Sequence, residues 1–378
     1  MDAPALDLPF DAEAMLPGLR RWVECESPTF DAVAVGRMME VAARDLALMG
    51  ARIETVPGRM GYGPCVRASF PHPRAGAEPG VLVMGHLDTV HPTGTLPALP
   101  WRREGDRLYG PGVYDMKGGN WIAVEAIRQL QRAGVATKRP VTVLLTSDEE
   151  VGSPSTRDLI EAEAARHAVV LVPEPARPDG GVVTGRYAIA RFNLRATGRP
   201  SHAGARLADG RSAIREMCRQ VVAIEAMTTD AATYSVGVIR GGQWVNCVAT
   251  HCDAESLSMA KRQADLDEAV ERMLALRSAT DGVSLEVQRG VTRPVWEPDG
   301  KVMALYETAR GIARSIGFDI TSQSSGGGSD GNFTGAMGIP TLDGLGVQGA
   351  GGHTLEEHLL VSSLVPRAKL MAGLLQVA

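Results

Sequence analysis

The chain has 378 residues, more than a single typical domain needs, and its 39 lysines and arginines against 44 aspartates and glutamates give a net charge of −5. Hydrophobic residues make up 44% and charged residues 22%, an ordinary globular balance that argues against disorder. The acidic balance, without a long basic run, argues against a nucleic-acid partner, and no run approaches the roughly 18 apolar residues of a membrane span.

The first 182 residues alternate helical patterns with short apolar runs. Apolar residues at helical spacing predict helix across residues 11–50, ended by Gly50, and a further helix over Asn120–Gly134. Short runs rich in β-branched residues predict strands that are buried on both faces of a sheet. These runs are Cys65–Phe70, Val81–Met84, Val141–Leu145 and Val169–Val172. Strands that alternate with helices indicate a layered α/β domain.

A different pattern begins near residue 183. Val183–Ala196 alternates apolar and polar residues, which predicts a half-exposed antiparallel strand. The next predicted elements are a helix at Ala213–Met227, strands at Tyr234–Ile239 and Val248–Met259, a helix at Leu266–Arg277 and a strand at Val283–Val287. This order is that of a ferredoxin-like fold. Because the earlier pattern returns from residue 295, the sequence predicts a discontinuous α/β domain, residues 1–182 and 295–378, interrupted by an inserted α+β domain at 183–294.

The cysteines and the first residues bear on the cellular compartment. Five cysteines without a CxxC pair argue against a disulfide framework and against a cysteine zinc site, and favour a reducing compartment. The first segment, MDAPALDLPFDAEAML, lacks the basic start and apolar stretch of a secretory signal. We therefore expect a cytoplasmic protein.

Polar side chains that suit metal binding follow the predicted strands. In GHLDTVHP, His86 comes directly after the strand VLVM, and Asp88 lies two residues further on the same face. This spacing suits a carboxylate that orients a metal-bound imidazole, although an isolated HxD is also compatible with an ordinary surface loop. His91 is interpreted as an ordinary loop histidine. In GPGVYDMKGGN, Asp115 suits either a helix cap or a ligand, and the glycine spacing does not fit a phosphate-binding loop.

Further acids and a histidine complete the set. Asp148, Glu149 and Glu150 follow the strand VTVLL, where adjacent carboxylates need either solvent or a cation. On extended backbone Glu149 and Glu150 point in opposite directions, so that one can bind a metal while the other faces substrate. Glu174 in LVPEPA and His353 in GGHTLEEH also lie in loops. Two histidines and three carboxylates, with one glutamate to spare, suit two divalent ions that share a carboxylate.

Seven motifs in this order resemble the M20 family of di-zinc peptidases and amidohydrolases, and within it the glutamate carboxypeptidase-like branch. The motifs are GHLDTV, YDMKGG, SDEEVGS, PEPA, GRPSHAG, GGGSDGNF and GGHT. The resemblance implies an α/β catalytic domain with a mixed, phosphorylase/hydrolase-like sheet and an inserted ferredoxin-like lid domain that usually dimerises. A homodimer and a small-molecule substrate are the partners that it implies.

The resemblance also implies roles for individual residues. One metal would be held by His86, Asp115 and Glu174, and the other by Asp115, Glu150 and His353. Glu149 would be the general base, Asp88 the partner of His86, and His202 on the lid would stabilise the oxyanion. Zn²⁺ is the foremost expected ion, with Mn²⁺ or Co²⁺ as alternatives. The peptide bond after Asp115 is expected to be cis.

The strand after the loop GGQWVNCVAT departs from the family pattern. Asn246 is present, but Ser258 falls where related enzymes carry an arginine that binds the substrate carboxylate. Arg293 and Gly327 complete the expected substrate contacts.

From the resemblance and the ligand set, we expect hydrolysis of an amide in an N-acyl amino acid or peptide-like compound through a metal-bridged hydroxide. The alternatives are an aminohydrolase or amidase acting on a small aromatic amine or aryl amide, and a non-catalytic scaffold, which the intact Glu149 and ligand set disfavour.

Overall fold

The computed structural model describes residues 8–378. The helices are α1 (Ala12–Glu24), α2 (Ala32–Leu48), α3 (Gly118–Arg132), α4 (Arg157–Ala164), α5 (Ala213–Glu225), α6 (Gln263–Leu274), α7 (Gly300–Ser315), α8 (Gly331–Ala336) and α9 (Val361–Val377). The strands are β1 (Arg52–Val56), β2 (Cys65–Ser69), β3 (Gly80–His86), β4 (Arg102–Glu104), β5 (Arg107–Tyr109), β6 (Val141–Thr146), β7 (His167–Leu171), β8 (Val182–Arg186), β9 (Ala188–Thr197), β10 (Ala232–Gly241), β11 (His251–Ala260), β12 (Ser284–Arg293), β13 (Ser322–Ser325), β14 (Thr341–Leu342), β15 (Gly349–Ala350) and β16 (His358–Leu360). Within the described residues, no helix is both long and apolar enough to cross a bilayer.

The first of two compact units contains a six-stranded mixed sheet in the order β1-β2-β6-β3-β7-β14. Strand β3 runs parallel to both β6 and β7, whereas β2 runs antiparallel to its two neighbours, β6 and β1. Val81 and Val83 pack into the larger apolar cluster on one face, and Leu82 and Met84 pack with Phe333 on the other. Both faces of the central strands are therefore covered, which confirms the predicted layered α/β architecture.

The predicted helix over residues 11–50 is wrong in one respect, because the chain forms two helices there. The residue before a proline is disfavoured in helical conformation, so Pro28 prevents Ser27 from continuing α1. The intervening segment instead pairs with the chain after β3, where Thr89 N donates to Ser27 O and Thr29 N donates to Thr89 O. Asp31 then begins α2, since its side chain accepts a hydrogen bond from Ala34 N.

The second unit takes in Arg186–Trp296 and Gly326–Gly328. Its antiparallel sheet has the order β10-β11-β9-β12, and α5 and α6 pack on one face. Along β9, Ala190, Phe192 and Leu194 are buried against these helices, while the residues between them face the uncovered side. The order of elements confirms the predicted ferredoxin-like architecture.

The long segment of the second unit begins and ends at one residue pair. Arg186 N donates to Trp296 O at 2.8 Å, and Trp296 N donates to Arg186 O at 2.9 Å. Trp296 is buried, and Arg186 also donates from its side chain to Gly327 O. The first and last residues of the inserted segment are thus fixed to each other by two backbone hydrogen bonds.

Candidate active site

Loops at one edge of the six-stranded sheet carry most of the predicted site. Strands β3, β6 and β7 are adjacent and parallel, so their carboxyl ends meet at the same edge. His86 is the last residue of β3, Glu149 and Glu150 follow β6, and Glu174 follows β7. Asp115 lies in an irregular turn, Val113–Lys117, that leads into α3, and its peptide bond to Met116 is cis.

Two imidazoles and four carboxylates meet at this edge. His86 Nε2 lies 3.3 Å from Asp115 Oδ1 and 3.8 Å from Glu174 Oε1. His353 Nε2 lies 3.2 Å from Asp115 Oδ2 and 3.1 Å from Glu150 Oε2. The two oxygens of Asp115 therefore face two different imidazoles, which is the geometry that a carboxylate shared by two cations requires.

The ligand atoms in this cluster fit divalent metal ions. His86 is buried, and its Nε2 has no hydrogen-bond partner among residues 8–378 although it points at three carboxylates. Glu150 Oε1 is likewise buried and unpartnered in the described chain. Leaving such atoms unsatisfied costs free energy, and imidazole nitrogen with carboxylate oxygen is a donor set that zinc and similar ions accept.

The electrostatics of the cluster show the same preference for positive charge. The Asp115 and Glu150 carboxylates raise the pKa of His353 to about 11. Burial alone lowers the pKa of His86, but Asp115 and Asp88 outweigh it and hold that pKa well above its ordinary value. Burial, reinforced by Asp115, raises the pKa of Glu174. The site therefore concentrates negative charge that either protons on the imidazoles or bound cations must balance.

Asp88 holds the acidic loop rather than only the neighbouring imidazole. Its carboxylate accepts hydrogen bonds from Glu149 N at 3.2 Å, from Glu150 N at 3.3 Å and from Thr29 Oγ1 at 2.8 Å. His86 Nδ1 lies closer to the backbone carbonyl of Asp88, at 2.9 Å, than to its carboxylate, at 3.4 Å. The predicted contact with His86 is thus supplied mainly by the Asp88 backbone.

Glu149 and Glu150 point in different directions for a reason other than the predicted one. They begin a short helical turn, Glu149–Val151, and are not extended. Successive side chains on such a turn diverge by roughly a third of a revolution. Glu150 reaches His353, whereas Glu149 Oε2 lies 3.9 Å from His86 Nε2 on the other side of the cluster. His86, Glu149 and Glu174 also offer ligand atoms within 4.8 Å of one another, so the geometry alone allows Glu149 to be a base or a ligand.

The other predicted site residues belong to the second unit. His202 is exposed, and its Nδ1 accepts hydrogen bonds from Gly204 N and Ala205 N, both at 3.2 Å. The neutral imidazole must then carry its proton on Nε2, which makes that atom a donor. Asn246 lies on the exposed loop between β10 and β11, and its backbone carbonyl accepts a hydrogen bond from Ala203 N at 2.9 Å.

Ser258 is a core residue of the second unit, which corrects the prediction that it contacts substrate. It is fully buried and pairs with Ala190 on the face covered by α5 and α6. The next residue, Met259, pairs with Ile189 on the uncovered face, where Arg293 pairs with Ile189 from the opposite side. Because side chains alternate along a strand, a shift of one residue exchanges the two faces.

Sequence reasoning missed residues whose partners are distant along the chain. Asn120 Nδ2 donates to the backbone carbonyl of His86 at 2.7 Å. His91 is buried rather than an ordinary loop histidine, and its Nε2 lies 2.5 Å from Glu357 Oε2. No local pattern in the sequence indicates either contact. The two adjacent acids of the GGHTLEEH motif were the one available signal, since a second acid beside a ligand histidine can have a structural role.

Known proteins match most of the chain in sequence and in fold. The model of peptidase family M20/M25/M40 matches residues 82–377. Carboxypeptidase G2 of Pseudomonas sp. (strain RS-16) is 29% identical over 371 residues, which cover 95% of this chain and 88% of the relative. Succinyl-diaminopimelate desuccinylase of Azoarcus sp. (strain BH72) is 29% identical over 320 residues, covering 79% and 82%. The crystal structure of a tripeptidase from Staphylococcus aureus subsp. aureus Mu50 superposes with a TM-score of 0.76 at 18% identity, covering 97% and 98% of the two chains.

Proposed function

Since the chain belongs to peptidase family M20/M25/M40 and is a metal-dependent hydrolase of peptide or amide bonds, we propose that it cleaves the amide of a small N-acyl amino acid or peptide-like substrate with two divalent ions. The single observation that carries the proposal is the position of Asp115, whose two oxygens face His86 and His353 at 3.3 and 3.2 Å. We assign His86, Asp115 and Glu174 to one ion and Asp115, Glu150 and His353 to the other, with Zn²⁺ foremost.

Glu149 is the residue that we assign to proton transfer. Divalent ions bound at this site supply Lewis acidity, which polarises the scissile carbonyl and lowers the pKa of water. Glu149 is held by the hydrogen bond from its backbone N to Asp88, and its carboxylate faces the side of the cluster that contains His86. It takes a proton from the attacking water and returns that proton to the leaving nitrogen.

His202 is the group that we assign to the oxyanion. Its Nδ1 is occupied by two backbone N–H donors, so Nε2–H is available to donate to developing negative charge. Its exposure in the second unit is compatible with action on the site of a second copy of the chain. Asn246 lies on the loop that hydrogen-bonds to the segment after His202 and so belongs to the same proposed contact region.

We also propose that the second unit forms the interface of a homodimer. Strand β10 is at the edge of its sheet and pairs only with β11 in the described chain. Its outer residues form a shallow apolar groove of about 320 Å³ together with α5, and within it Val222 is 71% exposed and Ile239 48% exposed. An unpaired edge beside exposed apolar side chains favours pairing with the same edge of a second copy.

The uncovered face of the second unit bears on substrate recognition. Met259, Ile189 and Arg293 form one row across three strands of that face. The glycine-rich segment Gly326–Gly328 packs on this row, since a side chain at Gly328 would come within 2.7 Å of Arg293 Cδ. A thioether donates no hydrogen bond, and the charged residue of this row, Arg293, is only 4% exposed. We infer that recognition of an α-carboxylate is weaker than in the glutamate carboxypeptidase branch.

A second candidate function is supported by an aromatic pair near the acidic loop. The Phe30 ring is 78% exposed and lies 6.2 Å from the Tyr62 ring, at an angle of 37°. Thr29, the preceding residue, donates to Asp88, while Ser147 donates to Gly63 O, next to Tyr62. Both aromatic residues are thus attached to the segments that carry Asp88 and Glu149. This surface favours an aromatic group in the substrate, as in an aryl amide.

The experiment is a metal-supplemented panel read by amine release. Metal-stripped enzyme is supplied with Zn²⁺, Mn²⁺ or Co²⁺ and offered N-acyl glutamates, other N-acyl amino acids, dipeptides and aryl amides, with Glu149→Gln as the inactive control. We expect metal-dependent release from at least one class. Phe30→Ala should raise KM for aryl amides about tenfold if they are the substrates, whereas Val33→Ala, at another exposed apolar position, should not. Equal release by wild type and Glu149→Gln in every class would refute the proposed function.

A further inference from the structure

Glu357 is a buried carboxylate to which the proposed chemistry gives no role. It is 1% exposed and lies four residues after His353. Its Oε1 accepts hydrogen bonds from Tyr114 N at 2.9 Å and Asp115 N at 3.0 Å, and its Oε2 accepts from Gly112 N at 3.1 Å. Three backbone donors of the turn that carries Asp115 therefore converge on one side chain.

The same carboxylate contacts the loop that follows His86. His91 is buried, and its Nε2 lies 2.5 Å from Glu357 Oε2. His91 is five residues after His86 and lies in the loop that follows β3. Glu357 thus joins three segments that each carry or adjoin a group of the cluster: the loop after β3, next to His86, the turn before α3, with Asp115, and the loop before β16, with His353.

These contacts are strong enough to fix the direction of Asp115. Hydrogen bonds from backbone N–H groups to a carboxylate are charge-assisted and are roughly twice as strong as neutral ones. Two of these hydrogen bonds, from Tyr114 N and Asp115 N, hold the backbone to which the Asp115 side chain is attached. Glu357 is thus the side-chain acceptor that holds both the Tyr114 and the Asp115 amide. A small rotation of this turn would move the Asp115 oxygens away from one imidazole or the other.

We propose that Glu357 is a positioning residue that sets the affinity of the ion shared by Asp115, Glu150 and His353, with His91 as its support. This inference rests on the proposed function, because it concerns the same metal site. Outer residues that orient metal ligands typically change metal affinity by about ten- to a hundredfold when they are lost. Glu357 lies in the loop of His353 and accepts from the Asp115 amide, so its loss loosens two ligands of the ion shared by Asp115, Glu150 and His353. The other ion loses the fixed position of Asp115 alone and keeps His86 on β3 and Glu174 after β7, so it should be affected less.

The test is a Co²⁺ titration of metal-stripped protein, followed by visible absorbance and by metal content after dialysis. Glu357→Ala removes all four contacts and should weaken one of two Co²⁺ affinities by about ten- to a hundredfold while leaving the other within threefold. Glu357→Gln keeps an acceptor for Tyr114 and Asp115 but presents N–H donors toward Gly112, so its effect should be intermediate. His91→Ala should change the weakened affinity by less than Glu357→Ala. Glu356→Gln, at an exposed neighbouring acid, is the matched control and should change neither affinity.

Each alternative outcome is distinct. Two unchanged affinities in Glu357→Ala, or equal loss of both together with a lower melting temperature of the metal-free protein, would overturn the positioning role and leave the proposed function standing. If Glu357→Ala does not fold, the same comparison in Glu357→Gln decides, and unchanged affinities there overturn the inference. Wild-type protein that binds no Co²⁺, Zn²⁺ or Mn²⁺ would overturn the proposed function and this inference together.

Discussion

Two arginine substitutions at adjacent positions of β11 should have opposite consequences. Ser258→Arg introduces a guanidinium on the face that packs against α5 and α6, where the native side chain is fully buried beside Ala190. Overpacking costs about 1–3 kcal/mol, and an unpaired buried charge adds about 3–5 kcal/mol. The sum is comparable to the whole stability of a typical domain, about 5–15 kcal/mol. We therefore expect Ser258→Arg to unfold the second unit or to be insoluble.

Met259→Arg places the same group on the uncovered face. Met259 is only partly buried, so the free energy of unfolding should change by about 1 kcal/mol or less. The new side chain lies two strands from Arg293, on the order of 10 Å, and because Arg293 is buried, salt screens their repulsion only in part. A new charge-assisted bond to a substrate carboxylate contributes roughly 1.5–3 kcal/mol, or about ten- to a hundredfold in kcat/KM.

The assay compares kcat/KM for an N-acyl glutamate and for an aryl amide that lacks a carboxylate, together with thermal unfolding of both variants. Met259→Arg should raise the ratio of kcat/KM for the N-acyl glutamate to kcat/KM for the aryl amide, and it should keep the wild-type melting temperature. Met259→Leu is the matched control, since it keeps the apolar character and should leave the ratio unchanged. A stable Ser258→Arg with improved glutamate turnover, beside an unaffected Met259→Arg, would show that the two residues face the other way.

Three further predictions concern the ligands, the interface and a buried thiol. Glu149→Gln should keep the wild-type metal content and lose activity by several orders of magnitude, whereas Glu150→Gln should lose metal. If plasma emission analysis shows metal loss in Glu149→Gln and normal metal content in Glu150→Gln, the roles of base and ligand are exchanged. Val222→Glu should convert the proposed dimer to a monomer in sedimentation velocity at micromolar concentration, and wild type that is already monomeric there would contradict the proposed interface. Burial raises the pKa of Cys65 to about 12 against an unfolded value of 9.0, so Cys65 should resist thiol reagents at pH 8 in the native protein and react with them in denaturant. Because the unfolded thiol loses its proton first, the free energy of unfolding should fall as pH rises above 9, and less so in Cys65→Ala.

The residues that follow the central strands were predictable because of strand order. Apolar runs mark β3, β6 and β7, and when such strands are parallel neighbours, the polar residues after them must meet at one edge. That reasoning places His86, Glu149, Glu150 and Glu174 without any knowledge of contacts. It needs only the period of the pattern and the length of each run.

Other features depended on information that a local pattern does not carry. Whether Ser258 or Met259 faces the uncovered side depends on the exact register of β11, and the predicted strand began three residues before the observed one. The contacts of Glu357 join residues separated by more than 240 positions, which no spacing rule anticipates. Pro28 marks the break between α1 and α2 in the sequence, but the pairing of Ser27 and Thr29 with Thr89 depends on a contact about 60 residues away along the chain.

Because the hydrogen-bonded pair Arg186 and Trp296 brings the two ends of the inserted segment together, this segment is a cassette, a part of the chain that can be replaced as a whole. If this segment folds first, its roughly 110 residues count toward the closure of the first unit only as a short turn. The entropic cost of closing a loop rises by about 0.6 kcal/mol each time the loop doubles in length. A short turn in place of roughly 110 residues avoids about five doublings, so the closure of the first unit costs about 3 kcal/mol less. The same geometry means that evolution can replace the whole cassette, and with it the edge strand and the exposed histidine, without lengthening any loop of the catalytic unit. Specificity and assembly can then diverge while the metal chemistry stays fixed.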